Sequence, residues 1–132
     1  MASPSLPLTP SRPVAPTILV VEDSDVVRTL AARMLVEQGY AVITAIDGVE
    51  AIEVLERASI GVVVTDLRMP RMDGRELARQ VAARWPDVQM IFMTGHPSAD
   101  LTDGLPGPLL MKPFARDDLA VAVRTRLTAF TE

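Results

Sequence analysis

Five polar side chains in this sequence stand at the ends of apolar runs. Asp66 follows "VVVT", and Glu22 and Asp23 follow "TILVV". Thr94 closes the run "QMIFM", and Lys112 follows "LLM". Runs of this composition predict strands buried on both faces, where an unpaired charge is costly. Charged groups in these positions therefore indicate a site, because packing alone does not favour them there.

These groups would share one pocket if their strands are parallel, because the carboxyl ends of parallel strands lie along one edge of a sheet. Two carboxylates about 4–5 Å apart repel each other by roughly 3–4 kcal/mol at an effective dielectric constant near 20. Either one carboxyl is then protonated or a cation lies among them. Oxygen ligands without His or Cys favour a hard divalent ion, Mg²⁺ first, and Lys112 adds a fixed positive charge. Such a set of groups is suited to binding and transferring a phosphoryl group.

Strands and helices alternate along the chain from Thr17 onwards. The helical segments carry apolar residues at intervals of three and four, and Gly39 is predicted to end the first of them. This alternation predicts an α/β fold with a doubly wound parallel sheet of five strands, in the flavodoxin-like order 2-1-3-4-5. Three methionines, Met90, Met93 and Met111, are expected to fill the core. Between Thr94 and Leu109 the chain is rich in glycine and proline, so the fourth helix is predicted to be shortened or missing, with "SADL" its only helical part.

The length of 132 residues predicts a single domain, and the composition is that of an ordinary globular protein. Residues 1–16, rich in proline, are predicted to be a disordered tail, and residues 17–132 the folded domain. The net charge of −4 and the pI near 5.0 argue against binding to nucleic acid or to anionic membranes. The absence of cysteine excludes disulfides and thiolate metal sites. No apolar run is long enough for membrane insertion and no signal-peptide core is present, so a cytoplasmic location is expected.

Four motifs resemble those of response-regulator receiver domains, the phosphorylated modules of two-component signalling and phosphorelays. They are "VVED" (residues 20–23), "TDLRMPRMDG" (65–74), "MTG" (93–95) and "MKPF" (111–114). Each motif alone is weak, but four in this order, each at a predicted strand end, form a specific pattern. The resemblance spans Thr17 to Phe130. The segments "TDLRMPRMDGREL" and "FMTGHP" are also similar to receivers fused to hybrid sensor kinases.

The resemblance implies a role for each of the residues at the strand ends. Asp66 would accept a phosphoryl group from the phosphohistidine of a sensor histidine kinase or a histidine phosphotransfer protein. Thr94 and Lys112 would contact the phosphoryl oxygens. The ligands of Mg²⁺ would be Glu22, Asp23, Asp66 and the backbone carbonyl of Arg68. The family pattern also implies a cis peptide bond between Lys112 and Pro113.

Two positions depart from the family pattern. Glu22 stands where many receivers carry Asp, which leaves metal binding intact as an expectation. Leu109 stands where many receivers place the Tyr or Phe ring that moves inward on phosphorylation, so that aromatic switch is not expected here. We expect phosphorylation to order the segment Gly95–Pro108 instead and so to alter a partner-binding face.

Alternative functions and roles also have to be considered. A pseudo-receiver, acting as a phosphorylation-independent interaction module, is the alternative to a signalling receiver. A Mg²⁺-dependent phosphatase is weaker, because Arg68 occupies the place where a second acid would be needed. Such a receiver is therefore expected to be no enzyme in the usual sense, since it catalyses only its own phosphorylation and dephosphorylation. Because the sequence stops after the last helix, we expect no output domain. A monomer or weak dimer is also expected.

Single residues also have simpler interpretations. Asp66 by itself is compatible with an acid in a surface turn. A site is favoured because Glu22, Asp23 and Lys112 are predicted to lie at the same edge of the sheet. Ser24 or Asp25 can cap the first helix, which leaves Asp23 available for metal. His96, the only histidine, is either an ordinary loop residue or, together with Arg68, a determinant of how long the phosphoryl group persists.

Overall fold

The computed structural model describes residues 16–96 and 102–131 of the chain. Five strands and four helices lie within these residues. The strands are β1 (Thr17–Val21), β2 (Ala41–Ala45), β3 (Val62–Asp66), β4 (Gln89–Thr94) and β5 (Leu109–Met111). The helices are α1 (Asp25–Glu37), α2 (Gly48–Arg57), α3 (Gly74–Arg84) and α4 (Arg116–Thr131).

All five strands pair in parallel, in the order β2-β1-β3-β4-β5. The central strands β1 and β3 are neighbours, with Val21 opposite Thr65. On the other side of β3, Asp66 lies opposite Met93 of β4. The predicted doubly wound, flavodoxin-like sheet is therefore confirmed, and the ends of the first, third and fourth strands lie side by side.

The core has two apolar layers, one on each face of the sheet. Successive residues of a strand point to opposite faces, so β1 and β3 contribute to both layers. One layer contains Leu19 together with Leu55 of α2 and Leu77 of α3. The other contains Val20 together with Leu119 of α4 and residues of α1. All five residues of β3 are buried, which fixes the position of Asp66 at its end.

Polar side chains define where the helices begin. The Ser24 hydroxyl accepts the backbone N–H of Val27 and caps α1, as one of the two predicted options, so Asp23 is not used as the cap. Asp47 and Asp73 cap α2 and α3 in the same way. Gly39 follows α1 with φ +98°, a left-handed conformation that favours glycine, and confirms the predicted end of that helix.

The segment before β5 confirms the shortened fourth helix in the part that the structure describes. Thr102 is its only helical residue between positions 102 and 108, and the remainder forms turns. The Pro108 carbonyl accepts the N–H of Phe92, at 2.9 Å, and a Cβ on Gly107 would lie only 2.1 Å from the Met90 carbonyl oxygen. The segment therefore runs directly against β4. The predicted helical stretch "SADL" lies outside the described residues, as does the predicted tail except for Pro16.

One expectation about the core is wrong. Met90 and Met93 are buried, but Met111 is 46% exposed. The reason is that Met111 ends a three-residue strand at the edge of the sheet, with a strand neighbour on one side only. Over residues 16–96 and 102–131, no helix combines the length and apolar character that crossing a membrane requires.

Candidate functional site

The carboxyl ends of four strands bring the candidate residues to one edge of the sheet. Glu22 and Asp23 follow β1 directly, Asp66 and Thr94 are the last residues of β3 and β4, and Lys112 follows β5. Backbone hydrogen bonds extend the pairing past the strand ends, which keeps these ends aligned. The Leu67 N–H donates to the Met93 carbonyl, and the Lys112 N–H donates to the Thr94 carbonyl.

Three carboxylates meet at this edge. Glu22, Asp23 and Asp66 each offer one oxygen, and these three oxygens lie within 4.8 Å of one another. Glu22 and Asp66 are only 1% and 5% exposed, whereas Asp23 is exposed at the rim. Two buried acids with an exposed third form a pocket that is open to solvent on the Asp23 side.

Lys112 joins two of these acids. Its ammonium nitrogen lies 2.8 Å from Oε1 of Glu22 and 3.3 Å from Oδ2 of Asp66. Glu22 and Lys112 are 90 positions apart in the sequence, and Lys112 is the only lysine in the chain. The second oxygen of Glu22 accepts the N–H of Ser24, at 3.1 Å. The single lysine of the chain is therefore placed where its charge offsets the two buried negative charges.

The electrostatic surroundings shift the pKa of both members of this pair. Burial raises the pKa of the Glu22 carboxyl above its ordinary value, and the charge of Asp66 adds to the effect, although Lys112 and the Ser24 amide oppose it. For Lys112, burial lowers the pKa, but the hydrogen bond to Glu22 and the charges of Asp66 and Glu22 outweigh burial. The pKa of the ammonium is consequently raised, so Lys112 is positively charged at neutral pH.

Thr94 lies one position beyond the residue that pairs with Asp66 across β3 and β4. It is buried, and its hydroxyl oxygen accepts the backbone N–H of His96, at 3.2 Å. Accepting that bond fixes the side chain and directs the hydroxyl proton towards other acceptors. Thr94 thus lies next to Asp66, on the β4 side, and its hydroxyl proton is available for a further hydrogen bond.

Arg68 and His96 lie together at the mouth of the site. Nη2 of Arg68 approaches the His96 backbone carbonyl at 3.5 Å, the long limit of a hydrogen bond. The contact connects the loop after β3 with the end of β4. The peptide bond between Lys112 and Pro113 is cis, which confirms that prediction.

The oxygen donors fit a magnesium ion. Mg²⁺ binds oxygen at 2.0–2.1 Å in an octahedron, so ligand oxygens lie about 3–4 Å apart. The 4.8 Å limit on the three carboxylate oxygens is within about 1 Å of that requirement, and an all-oxygen donor set is the kind that this ion prefers. The chemistry of the donors therefore suits Mg²⁺, and rotation of the exposed Asp23 carboxylate would shorten the remaining distance.

Several residues around the site were not singled out from the sequence. Asp47 and Arg71 form an ion pair beside it, and the Arg28 guanidinium donates to the Glu22 carbonyl at 3.0 Å. Gly74 lies so close to Asp66 that a Cβ there would be 2.5 Å from the Asp66 carbonyl oxygen. Asp47 and Gly74 stand in "DG" pairs before helices, which the sequence explains equally well as helix starts. Arg71 and Gly74 lie within the motif "TDLRMPRMDG", but nothing in the sequence gave either of them a role of its own.

A parallel five-stranded sheet with acids, a hydroxyl and a lysine at its carboxyl edge defines a class of protein, the receiver domains of two-component signalling. Residues 18–124 match the family model of the response regulator receiver domain, and the chain belongs to that family. A receiver domain is a signalling module rather than a classical enzyme, and receiver domains take their phosphoryl groups from histidine kinases.

Named relatives agree with this assignment. The sensor kinase CckA of Brucella abortus (strain 2308) is 38% identical over 117 residues, which are 84% of this chain and 12% of that protein. The response regulator MprA of Mycobacterium leprae (strain TN) is 37% identical over 114 residues, or 83% of this chain and 50% of that protein. The chain thus spans half or less of the length of these relatives. Because CckA is a sensor kinase, the match is compatible with a receiver of the hybrid-kinase type.

A solved structure shows the same fold with a ligand. The response regulator TrrA from Thermotoga maritima, in complex with Mg²⁺ and BeF, superposes with a TM-score of 0.77. The two chains are 29% identical, and the superposition includes 84% of this chain and 98% of the TrrA chain.

Proposed function

We propose that this domain accepts a phosphoryl group on Asp66 from a phosphohistidine, in a reaction that depends on Mg²⁺. The donor would be a sensor histidine kinase or a histidine phosphotransfer protein. The observation that carries the proposal is the position of the Lys112 ammonium, within 3.3 Å of Asp66 and 2.8 Å of Glu22 in a pocket with three carboxylates. Burying these charges side by side is costly for a fold that uses them only for packing.

The residues have separate tasks in this reaction. An oxygen of Asp66 attacks phosphorus, the bond between phosphorus and the imidazole nitrogen breaks, and the electron pair of that bond leaves with the imidazole. Thr94 donates its hydroxyl proton to one phosphoryl oxygen, and Lys112 pairs with another. Both stabilise the negative charge on the oxygens during transfer.

Four groups would hold the metal: the carboxylates of Glu22, Asp23 and Asp66 and the backbone carbonyl of Arg68. When bound, Mg²⁺ neutralises charge on the phosphoryl oxygens and on the acids that surround them. The TrrA complex with Mg²⁺ and BeF supports this assignment, because TrrA has the same fold and this chain presents a cluster of three carboxylates suited to the ion. An interaction module independent of phosphorylation is disfavoured, since it has no need of a hydroxyl and an ammonium at these strand ends.

The decisive experiment is phosphorylation by a small phosphodonor such as acetyl phosphate, with Mg²⁺, followed by intact-mass measurement. The wild type is expected to gain one phosphoryl group, and Asp66→Asn none. Asp73→Asn is the matched control, because it removes one acid from the same loop while asparagine preserves the cap of α3. It is expected to be phosphorylated like the wild type. A wild type without added mass, or an Asp66→Asn variant that still gains it, would refute the proposal.

A further inference from the structure

A second ion pair lies next to the site, outside the residues that carry the proposed reaction. Oδ2 of Asp47 lies 2.6 Å from Nη2 and 2.8 Å from Nε of Arg71. The other oxygen, Oδ1, accepts the N–H of Glu50 at 2.9 Å and caps α2. The Asp47 side chain is only 6% exposed, and both of its oxygens are engaged. A buried carboxylate with two such partners holds the arginine in one position.

Arg71 adopts an unusual backbone conformation. Its φ is +71°, in the left-handed region that residues other than glycine rarely occupy. It lies in the connection between β3 and α3, residues 67–73, which also contains Arg68. Such a conformation persists where surrounding contacts impose it. Two contacts accompany it here: the Met72 N–H donates to the Pro70 carbonyl at 2.8 Å, which makes Arg71 the centre of a tight turn, and the side chain is bonded to Asp47.

The turn between β2 and α2, residues 45–48, contacts both the end of β1 and the loop that follows β3. At its start, the Ala45 carbonyl accepts the N–H of Glu22 at 3.1 Å. At its end, a Cβ on Gly48 would lie 2.8–2.9 Å from three atoms of the Met72 side chain, so α2 begins in direct contact with that residue. With Asp47 between these contacts, the turn connects the β1 acids with the loop that follows Asp66.

The loop itself is closed at its base. The Gly74 N–H donates to the Leu67 carbonyl at 2.9 Å, and the Met72 N–H donates to the Pro70 carbonyl at 2.8 Å. These bonds fix the two ends of the loop and its inner turn. Arg71 is the central residue of that inner turn, at the point where the loop reaches across to Asp47.

We propose that Asp47 and Arg71 are positioning residues of the metal site. Their ion pair holds the loop 67–73 against residues 45–48 and thereby sets the distance of the Arg68 carbonyl from the carboxylates of Glu22 and Asp23. The inference rests on the proposed function, because it assigns the Arg68 carbonyl as a metal ligand. Neither residue touches the reacting atoms, and both act through the backbone of the loop.

The variants Asp47→Asn and Arg71→Gln test the inference. Asparagine is as good a helix cap as aspartate, so the first variant removes the charge and keeps the start of α2. The matched control is Glu56→Gln, which removes one acid from a surface pair with Arg84, at 2.7 Å, between α2 and α3 at their other ends. Two readouts are needed: hydrogen exchange of residues 67–74 without metal, and Mg²⁺ affinity by titration calorimetry.

In Asp47→Asn and Arg71→Gln, residues 67–74 are expected to exchange faster and Mg²⁺ to bind about tenfold more weakly, as is typical when residues that orient metal ligands are lost. The double variant is expected to bind Mg²⁺ no more weakly than either single variant, because the two residues act as one pair. Glu56→Gln is expected to match the wild type. Unchanged exchange and affinity, or losses in the two single variants that simply add, would overturn the inference.

These readouts separate the inference from the proposed function. A wild type that binds Mg²⁺ but takes up no phosphoryl group would refute the phosphoryl transfer and leave the positioning role to be decided by affinity and exchange. A wild type that binds no Mg²⁺ would refute the positioning role itself.

Discussion

Gly74→Ala is the change that most directly tests how the acceptor is held. Gly74 is the first residue of α3, and a Cβ there would lie 2.5 Å from the Asp66 carbonyl oxygen and 3.0 Å from the Leu67 Cα. Both of these atoms belong to the backbone, so no flexible side chain can move aside. The added methyl group must displace either the start of α3 or the residue that we propose to be phosphorylated.

Two effects of opposite sign determine how far Gly74→Ala changes the stability of the domain. Replacing glycine by alanine in a helix is worth about 0.5–1 kcal/mol in favour of alanine. Inserting a methyl group into a packed space without room typically costs about 1–3 kcal/mol. The contact at 2.5 Å is with fixed backbone, so the upper part of that range applies and the clash wins. We expect a net destabilisation of about 1–2 kcal/mol, equivalent to about 4–8 °C in Tm for a domain of this size.

Urea unfolding and phosphorylation would measure the two consequences. The midpoint is expected to fall by about 1 M urea, and phosphoryl uptake to slow by about tenfold, since displacement by a fraction of an ångström impairs attack. Gly95→Ala is the control for stability, because a Cβ at Gly95 meets only the Lys112 Cβ, at 3.9 Å. Its stability is expected to stay within about 0.5 kcal/mol of the wild type. A Gly74→Ala variant as stable and as readily phosphorylated as the wild type would refute this reasoning.

Two further predictions concern the lifetime of the phosphoryl group and the effect of pH. Arg68→Ala and His96→Ala are each expected to change the rate at which phosphorylated Asp66 loses its phosphoryl group by several-fold. Intact-mass measurements after removal of the donor would follow this decay. An unchanged rate in both variants would contradict the role assigned to these two residues. Burial raises the pKa of Asp47, but the Glu50 amide and Arg71 outweigh it, so the pKa lies below its ordinary value of 3.8. The pairing therefore stabilises the fold fully above that value and is lost as pH falls through the lower folded pKa. Urea unfolding would measure the free energy of unfolding of the wild type and of Asp47→Asn. The difference between the two should stay constant between about pH 7 and 5 and become smaller below about pH 4. A difference that grows on acidification would contradict the prediction.

The sequence by itself determined the order of elements and the edge at which the site lies. Strand and helix periodicities are local properties, and alternating elements form a parallel sheet in few ways, so the ends of the apolar runs must meet at one edge. For this reason the convergence of Glu22, Asp23, Asp66 and Lys112 could be predicted. The caps at Ser24 and Gly39 could be predicted too, because they depend on neighbours within a few positions.

Only the tertiary structure decided how the loops around the site are held. Asp47 and Arg71 are 24 positions apart, and their contact depends on a left-handed residue in a loop, which no periodic pattern encodes. The closeness of Gly74 to Asp66 and the exposure of Met111 likewise depend on how a loop folds back and on where the sheet ends. Periodic patterns specify which residues face the core, whereas distances between loops follow from the packing of the whole chain.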